Sequence, residues 1–158
     1  MSANDHTLQI ERLLHAPLPA IWRCWTEPDL LQQWFCPKPW RVTKAELELH
    51  TGGRFFTRME GPNGEAHDLD GVLLHVEPQS RLIFTDAFSK GWLPSSRAFM
   101  TGDVSFAAEG NATLYTARAR HWSAADMAEH EGVGFDGGWN AAADQLEALA
   151  RGVSVSAL

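Results

Sequence analysis

Three side chains in this sequence carry groups able to move or hold a proton beside apolar segments: Asp86, His121 and His130. Asp86 stands in LIFTDAF, on the same alternation as Leu82, Phe84 and Phe88, and a carboxylate on an apolar face must be paired, hydrogen-bonded or protonated. It reads either as a polar anchor or acid/base group, or structurally, as the ion-pair partner of an arginine such as Arg118 or Arg120 or as a residue near the strand end in water. Asp70 and Asp103 carry weaker forms of the same claim. His121 closes a run in which Tyr115, Ala117 and Ala119 form one face, and His130 follows on a helix opposite, so the two histidines can share a polar site; the competing reading makes His121 a strand-end hydrogen bonder. The seven His residues do not form His-Glu-x-x-His or another compact ligand set, so no metal is expected. Cys24 and Cys36 lack a Cys-x-x-Cys spacing and read as free thiols. Without a Gly-x-Ser-x-Gly elbow or a phosphate-binding glycine loop, no catalytic motif is recognised and no cofactor is expected.

Apolar surface is the stronger signal. Seven Trp accompany a single Tyr in 158 residues, and Trp brings a large flat surface with one donor that needs a partner when buried. Trp34 and Trp40 flank a Pro-rich segment, Phe84 and Phe88 alternate, Trp92 sits in the longest loop, and Phe99, Trp122 and Phe135 follow. With Phe55 and Tyr115 on inward strand faces, these residues are the expected ligand-binding set; the competing reading is that they fill a core. Trp22, Trp25 and Trp139 fall on helix faces that pack a core.

The elements that must position these groups follow from periodicity. Thr7 to Leu14 reads as a strand, and Pro17-Leu18-Pro19 opens a helix with Ile21, Trp22 and Trp25 on one face. A second short helix carries Leu30, Leu31, Trp34 and Phe35 and ends at Pro37 and Pro39. Six strands are predicted next: Val42 to His50, Arg54 to Met59, Asp68 to Glu77, Arg81 to Phe88, Phe99 to Ala107 and Ala112 to His121. Their short connections imply an antiparallel meander. Ser123, with Asp126 three residues on, caps a long helix whose Phe135, Trp139, Ala142, Leu146 and Leu149 form one stripe. Gly132, Gly134, Gly137 and Gly138 predict a kink there, or close backbone packing. The expected fold class is therefore α+β: a six- to seven-stranded bent antiparallel sheet wrapped around a long C-terminal helix, with two short helices after the first strand.

Composition bounds the rest. A content of 44% hydrophobic and 21% charged residues suits one globular domain over residues 1–158, with an ordered part from about 6 to 151 and a frayed tail from Arg151 to Leu158. A formal charge of −7 and the lack of a Lys/Arg cluster argue against nucleic acid as a partner. The polar, acidic start MSANDHTLQIER and the absence of a long apolar run predict no signal peptide, no membrane span and a cytoplasmic location.

In this order and spacing, several residues resemble those of the START-like, or SRPBCC, superfamily with its helix-grip fold. They are Pro17, Trp22 and Thr26-Glu27-Pro28, then Leu31 and Trp34, Gly52-Gly53, Gly71, Glu77-Pro78 and Arg81-Leu82. Phe106, Thr113, His121-Trp122, Gly138-Trp139, Leu146 and Leu149 complete the set. Within that superfamily the chain is similar to the bacterial members of the family named for the C-terminal domain of the heat-shock-protein ATPase activator. The resemblance implies a cavity between sheet and long helix that takes a hydrophobic or aromatic small molecule. It leaves three functions open: ligand binding, a cyclase- or aromatase-like reaction in the same cavity, and a module acting on a chaperone ATPase. Edge strands and exposed Trp leave room for a homodimer.

Overall fold

The computed structural model of the protein describes residues 5–153. In strand β1 (Thr7–Leu14) Ile10 and Leu14 are buried. Pro17 then caps helix α1 (Leu18–Thr26), which buries Ile21, Cys24 and Trp25. A single turn, α2 (Pro28–Leu31), follows, and the next segment turns back so that the Trp34 indole donates to the Cys24 carbonyl at 2.8 Å.

The sheet is built from β2 (Arg41–Leu47), β3 (Arg54–Glu60), β4 (Ala66–Glu77) and β5 (Arg81–Thr85). After a two-strand ribbon, β6 (Phe88–Ser89) and β7 (Leu93–Pro94), it continues with β8 (Thr101–Glu109) and β9 (Ala112–Arg120). Seven strands pair antiparallel in the order β1-β9-β8-β5-β4-β3-β2, with the β6-β7 ribbon separate. The chain meanders because its turns are short, and β1 reaches the far edge by pairing Thr7 with Arg120 through Leu14 with Thr113. Register shifts at Val42/Lys44 and Leu73/His75 are bulges that bend the sheet into a concave surface. Helix α3 (Ala124–Gly132) and helix α4 (Phe135–Ala150) close the chain, α4 packing on α1 and β1. This is the α+β helix-grip arrangement.

Its core joins both layers. Phe55 stacks on Phe84 with ring centroids 4.5 Å apart, and Trp25 meets Trp34 edge-on at 5.0 Å, contacts worth roughly 0.5–1.5 kcal/mol each beyond area burial. Gly102 lets this happen: a Cβ there would lie 2.3 Å from the Phe84 ring.

Several predicted boundaries move, each for a local reason. The strand expected to reach His50 stops at Leu47, where the chain turns through hydrogen bonds from Gly53 N to His50 O and from Glu48 N to Arg54 O. The strand expected to run to Phe88 ends at Thr85, whose hydroxyl accepts from Ala87 N, and Phe88 enters the ribbon formed within the predicted loop. The strand predicted over Phe99 to Ala107 runs two residues later, Thr101–Glu109, because Asp86 takes the Phe99 and Met100 N–H groups. Ser123 accepts from Asp126 N at 3.1 Å, but the helix it caps breaks at Gly134, whose φ of 101° is the left-handed conformation that glycine adopts without a Cβ penalty. From residue 154 on, the expected frayed tail lies outside the described residues.

Candidate functional site

The bent sheet, the segment after α2 and helices α3 and α4 enclose a cavity of about 660 Å³, a volume in the usual range for small-molecule sites. Trp25, Trp34 and Phe35 supply one wall, Phe84 and Tyr115 the floor, and Trp139 the helix side. Gln145 on α4 holds the Trp34–Cys36 segment in place by donating to the carbonyls of Trp34 and Cys36, at 3.0 and 2.8 Å.

Polar side chains also line the cavity, His67, Asp68, Asp70 and Ser95 among them, and two stand among the rings. Tyr115 accepts from the Trp25 indole N–H at 3.2 Å, and burial raises its hydroxyl well above the ordinary value, so it stays protonated with its O–H available to a ligand. His130 is only 8% exposed and lies among the rings of Phe99, Phe135 and Trp139, with centroids 4.8, 5.2 and 6.0 Å away. Its Nδ1 sits 2.9 Å from His121 Nε2, and His121 Nδ1 donates to the backbone oxygen of His6 at 2.9 Å. Burial, and then the neighbouring His121, push the His130 imidazole down to about 4, so it is neutral at pH 7.

At the mouth, the Asp86 carboxylate accepts from the N–H of Phe99 at 2.9 Å and of Met100 at 3.2 Å. Neither Arg118 nor Arg120 pairs with it: Arg118 bonds Gln9 and Ser105, and Arg120 approaches Asp103 at 3.3 Å. Asp86 therefore shapes the loop that carries Phe99 while lining the cavity itself. Arg97 reaches from that loop to Glu129 at 3.3 Å and Asp126 at 3.6 Å, tying it to α3.

Of the residues singled out from sequence, Trp34, Asp70, Phe84, Asp86, Phe99, Tyr115 and His130 line the cavity, Asp70 also accepting from Arg54 at 3.3 Å. Phe55 is buried behind Phe84, Phe135 is buried beneath His130, and His121 stands between His130 and a shallow surface depression that it lines with Trp122. Trp40 packs near Gly61, Phe88 meets Trp92 in the ribbon, and Trp92 lies over Gly52; none of the three lines the cavity. Asp103 is buried elsewhere, held bidentate by Arg81 at 2.9 and 2.7 Å. Burial alone would raise its carboxyl, but Arg81 and Arg120 outweigh that and hold it below the ordinary value.

Trp25 and Trp139, read as core residues, line the cavity as well. Their signal was present in the helical spacing, but a buried helix face can meet either packed atoms or a hollow. Arg97 and Met100 carried no periodic signal, since they lie in the loop held by Asp86. Burial raises both cysteine thiols to about 11, which makes Cys36 an inert wall residue. Among the described residues no helix is long and apolar enough to cross a membrane.

The sequence matches, over residues 15–151, the family described as activator of Hsp90 ATPase homolog 1-like protein. A crystal structure of a protein from Nitrosomonas europaea is 37% identical, covering 90% of this chain and 92% of that one with a TM-score of 0.88. Solution structures of an Arthrobacter aurescens protein and of an AHSA1-like protein from Aeromonas hydrophila share the fold. The first is 22% identical with a TM-score of 0.81, covering 95% of this chain and 88% of that one. The second is 23% identical with a TM-score of 0.72, covering 94% and 96%. No functionally curated protein matches the chain.

Proposed function

The chain belongs to the family of activator of Hsp90 ATPase homolog 1-like proteins, and from that premise we propose that it is a small-molecule binding protein whose cavity takes an aromatic or otherwise apolar ligand. The observation that carries this reading is the cavity of about 660 Å³ walled by Trp25, Trp34, Phe35, Phe84 and Trp139. Filling it would remove these ring surfaces from water, at roughly 25 cal/mol per Å² of apolar area. The family name points to a chaperone ATPase, whereas the aromatic-walled cavity supports a small-molecule ligand.

Three tryptophans on the wall make binding visible. Titration with a panel of aromatic and apolar metabolites is expected to give saturable quenching of Trp fluorescence. The same compounds should raise the unfolding midpoint, because a ligand that binds only the folded state stabilises it by mass action. A panel in which no compound quenches saturably overturns the proposal. Native mass spectrometry of freshly purified protein would identify a retained ligand by its mass.

A further inference from the structure

We infer that the ligand is a hydroxyl-bearing aromatic, a phenol or its equivalent, whose O–H donates to Nε2 of His130. The inference rests on the cavity reading above and adds to it the polar group that selects the ligand.

A chain of hydrogen bonds from His6 through His121 fixes the tautomer of His130. A backbone carbonyl can only accept, so His121 Nδ1, 2.9 Å from the His6 oxygen, must carry a proton. In the neutral ring, His121 Nε2 is then an acceptor. His130 Nδ1, 2.9 Å away, must donate to it, which places the His130 proton on Nδ1 and leaves Nε2 with a lone pair. A buried histidine with an open rotor would be free to choose its tautomer; this one has the choice made for it by His6. Among the described residues nothing hydrogen-bonds His130 Nε2, although the residue is only 8% exposed and lines the cavity. The atom is not sealed off, so a ligand entering the cavity can hydrogen-bond it. The ligand chemistry that matches this acceptor joins a flat ring, to lie among Phe99, Trp139 and Phe84, with a donor at its edge. Arg97 lines the same cavity and directs its Nη2 to Glu129 and Asp126.

The test is a matched pair of probes, 2-naphthol and 2-methoxynaphthalene, titrated by Trp fluorescence and calorimetry. An apolar cavity with no acceptor prefers the less polar ether. The wild-type protein is instead expected to bind 2-naphthol roughly three- to tenfold more tightly, as one hydrogen bond to a buried acceptor implies. In His130→Phe that preference should vanish or invert while 2-methoxynaphthalene still binds. Nitrogen-15 spectra of the wild-type histidines provide a second readout that needs no variant. His130 Nε2 is expected to be unprotonated, and its resonance to move with 2-naphthol and not with the ether. Equal binding of both probes by the wild-type protein, or a proton on Nε2, overturns the inference and leaves the cavity reading intact. Binding of neither probe overturns the cavity reading itself and this inference with it.

Discussion

An unfolded histidine titrates near pH 6.5, whereas burial and the neighbouring His121 bring His130 down to about 4 in the folded protein. Between those values the unfolded chain binds the extra proton, so stability is complete above about pH 6.5 and falls as the pH drops towards 4. The loss attributable to His130 is up to about 3 kcal/mol over that window. Asp103 has the opposite kind of group but the same sign: its depressed carboxyl stabilises the fold above the ordinary Asp value of about 3.9 and loses that contribution only below it. Glu27, Glu46, Glu48 and Glu77 are also held below the ordinary value and begin to contribute near pH 4.5, so urea unfolding at pH 7 and pH 4.5 isolates the histidine when the wild type is compared with His130→Phe. The wild-type protein should lose more stability between the two than His130→Phe does; an equal loss in both would show that His130 is not held neutral by the fold. Asp86 shows why single residues were only partly legible. Its position beside an apolar run signalled a carboxylate with a structural duty, but its acceptors' partners, Phe99 N and Met100 N, lie in a loop without periodicity.

Among the elements, the break between α3 and α4 is the feature on which the site depends, because it sets His130 at the end of one helix and Trp139 in the first turns of the next. The glycine-rich segment announced a weak point, and the structure locates it at Gly134. Gly134 and Gly137 are both free of neighbours where a Cβ would stand, yet only Gly134 has a positive φ. Substitution should separate them by sign. Gly134→Ala is expected to destabilise the protein by about 1 kcal/mol through backbone strain, and Gly137→Ala, inside α4, to stabilise it by about 0.5 kcal/mol through helix propensity. Thermal or chemical denaturation measures both, and a stabilising Gly134→Ala would show that the two helices can merge into one. The ribbon of β6 and β7 is a converse case: two residues per strand are too few for any alternation to register in sequence.

For the whole molecule, one buried apolar cluster runs from Ile10 in β1 through Trp25 and Trp34 to Phe84 in the sheet and Leu146 in α4. Sheet and helices sharing a core should unfold together, so Trp fluorescence and far-ultraviolet circular dichroism are expected to trace one coincident transition; two separated transitions would mean that α4 detaches from the sheet before it melts. Strands, helices, the Ser123 cap and the α+β class were determined by the sequence itself, because alternation, helical spacing and turn chemistry act within a few residues. The division of the aromatic residues between core and cavity was decided only in three dimensions. Phe55 and Phe84 look alike along their strands, but Phe84 fills the space left by Gly102 and lines the hollow while Phe55 lies behind it. The tautomer chain from His6 through His121 to His130 likewise joins residues 115 and 9 positions apart. Local pattern cannot encode such contacts; they depend on β1 pairing with β9 and on the sheet's bulges curving it towards α3 and α4, and so arise only when the whole chain has folded.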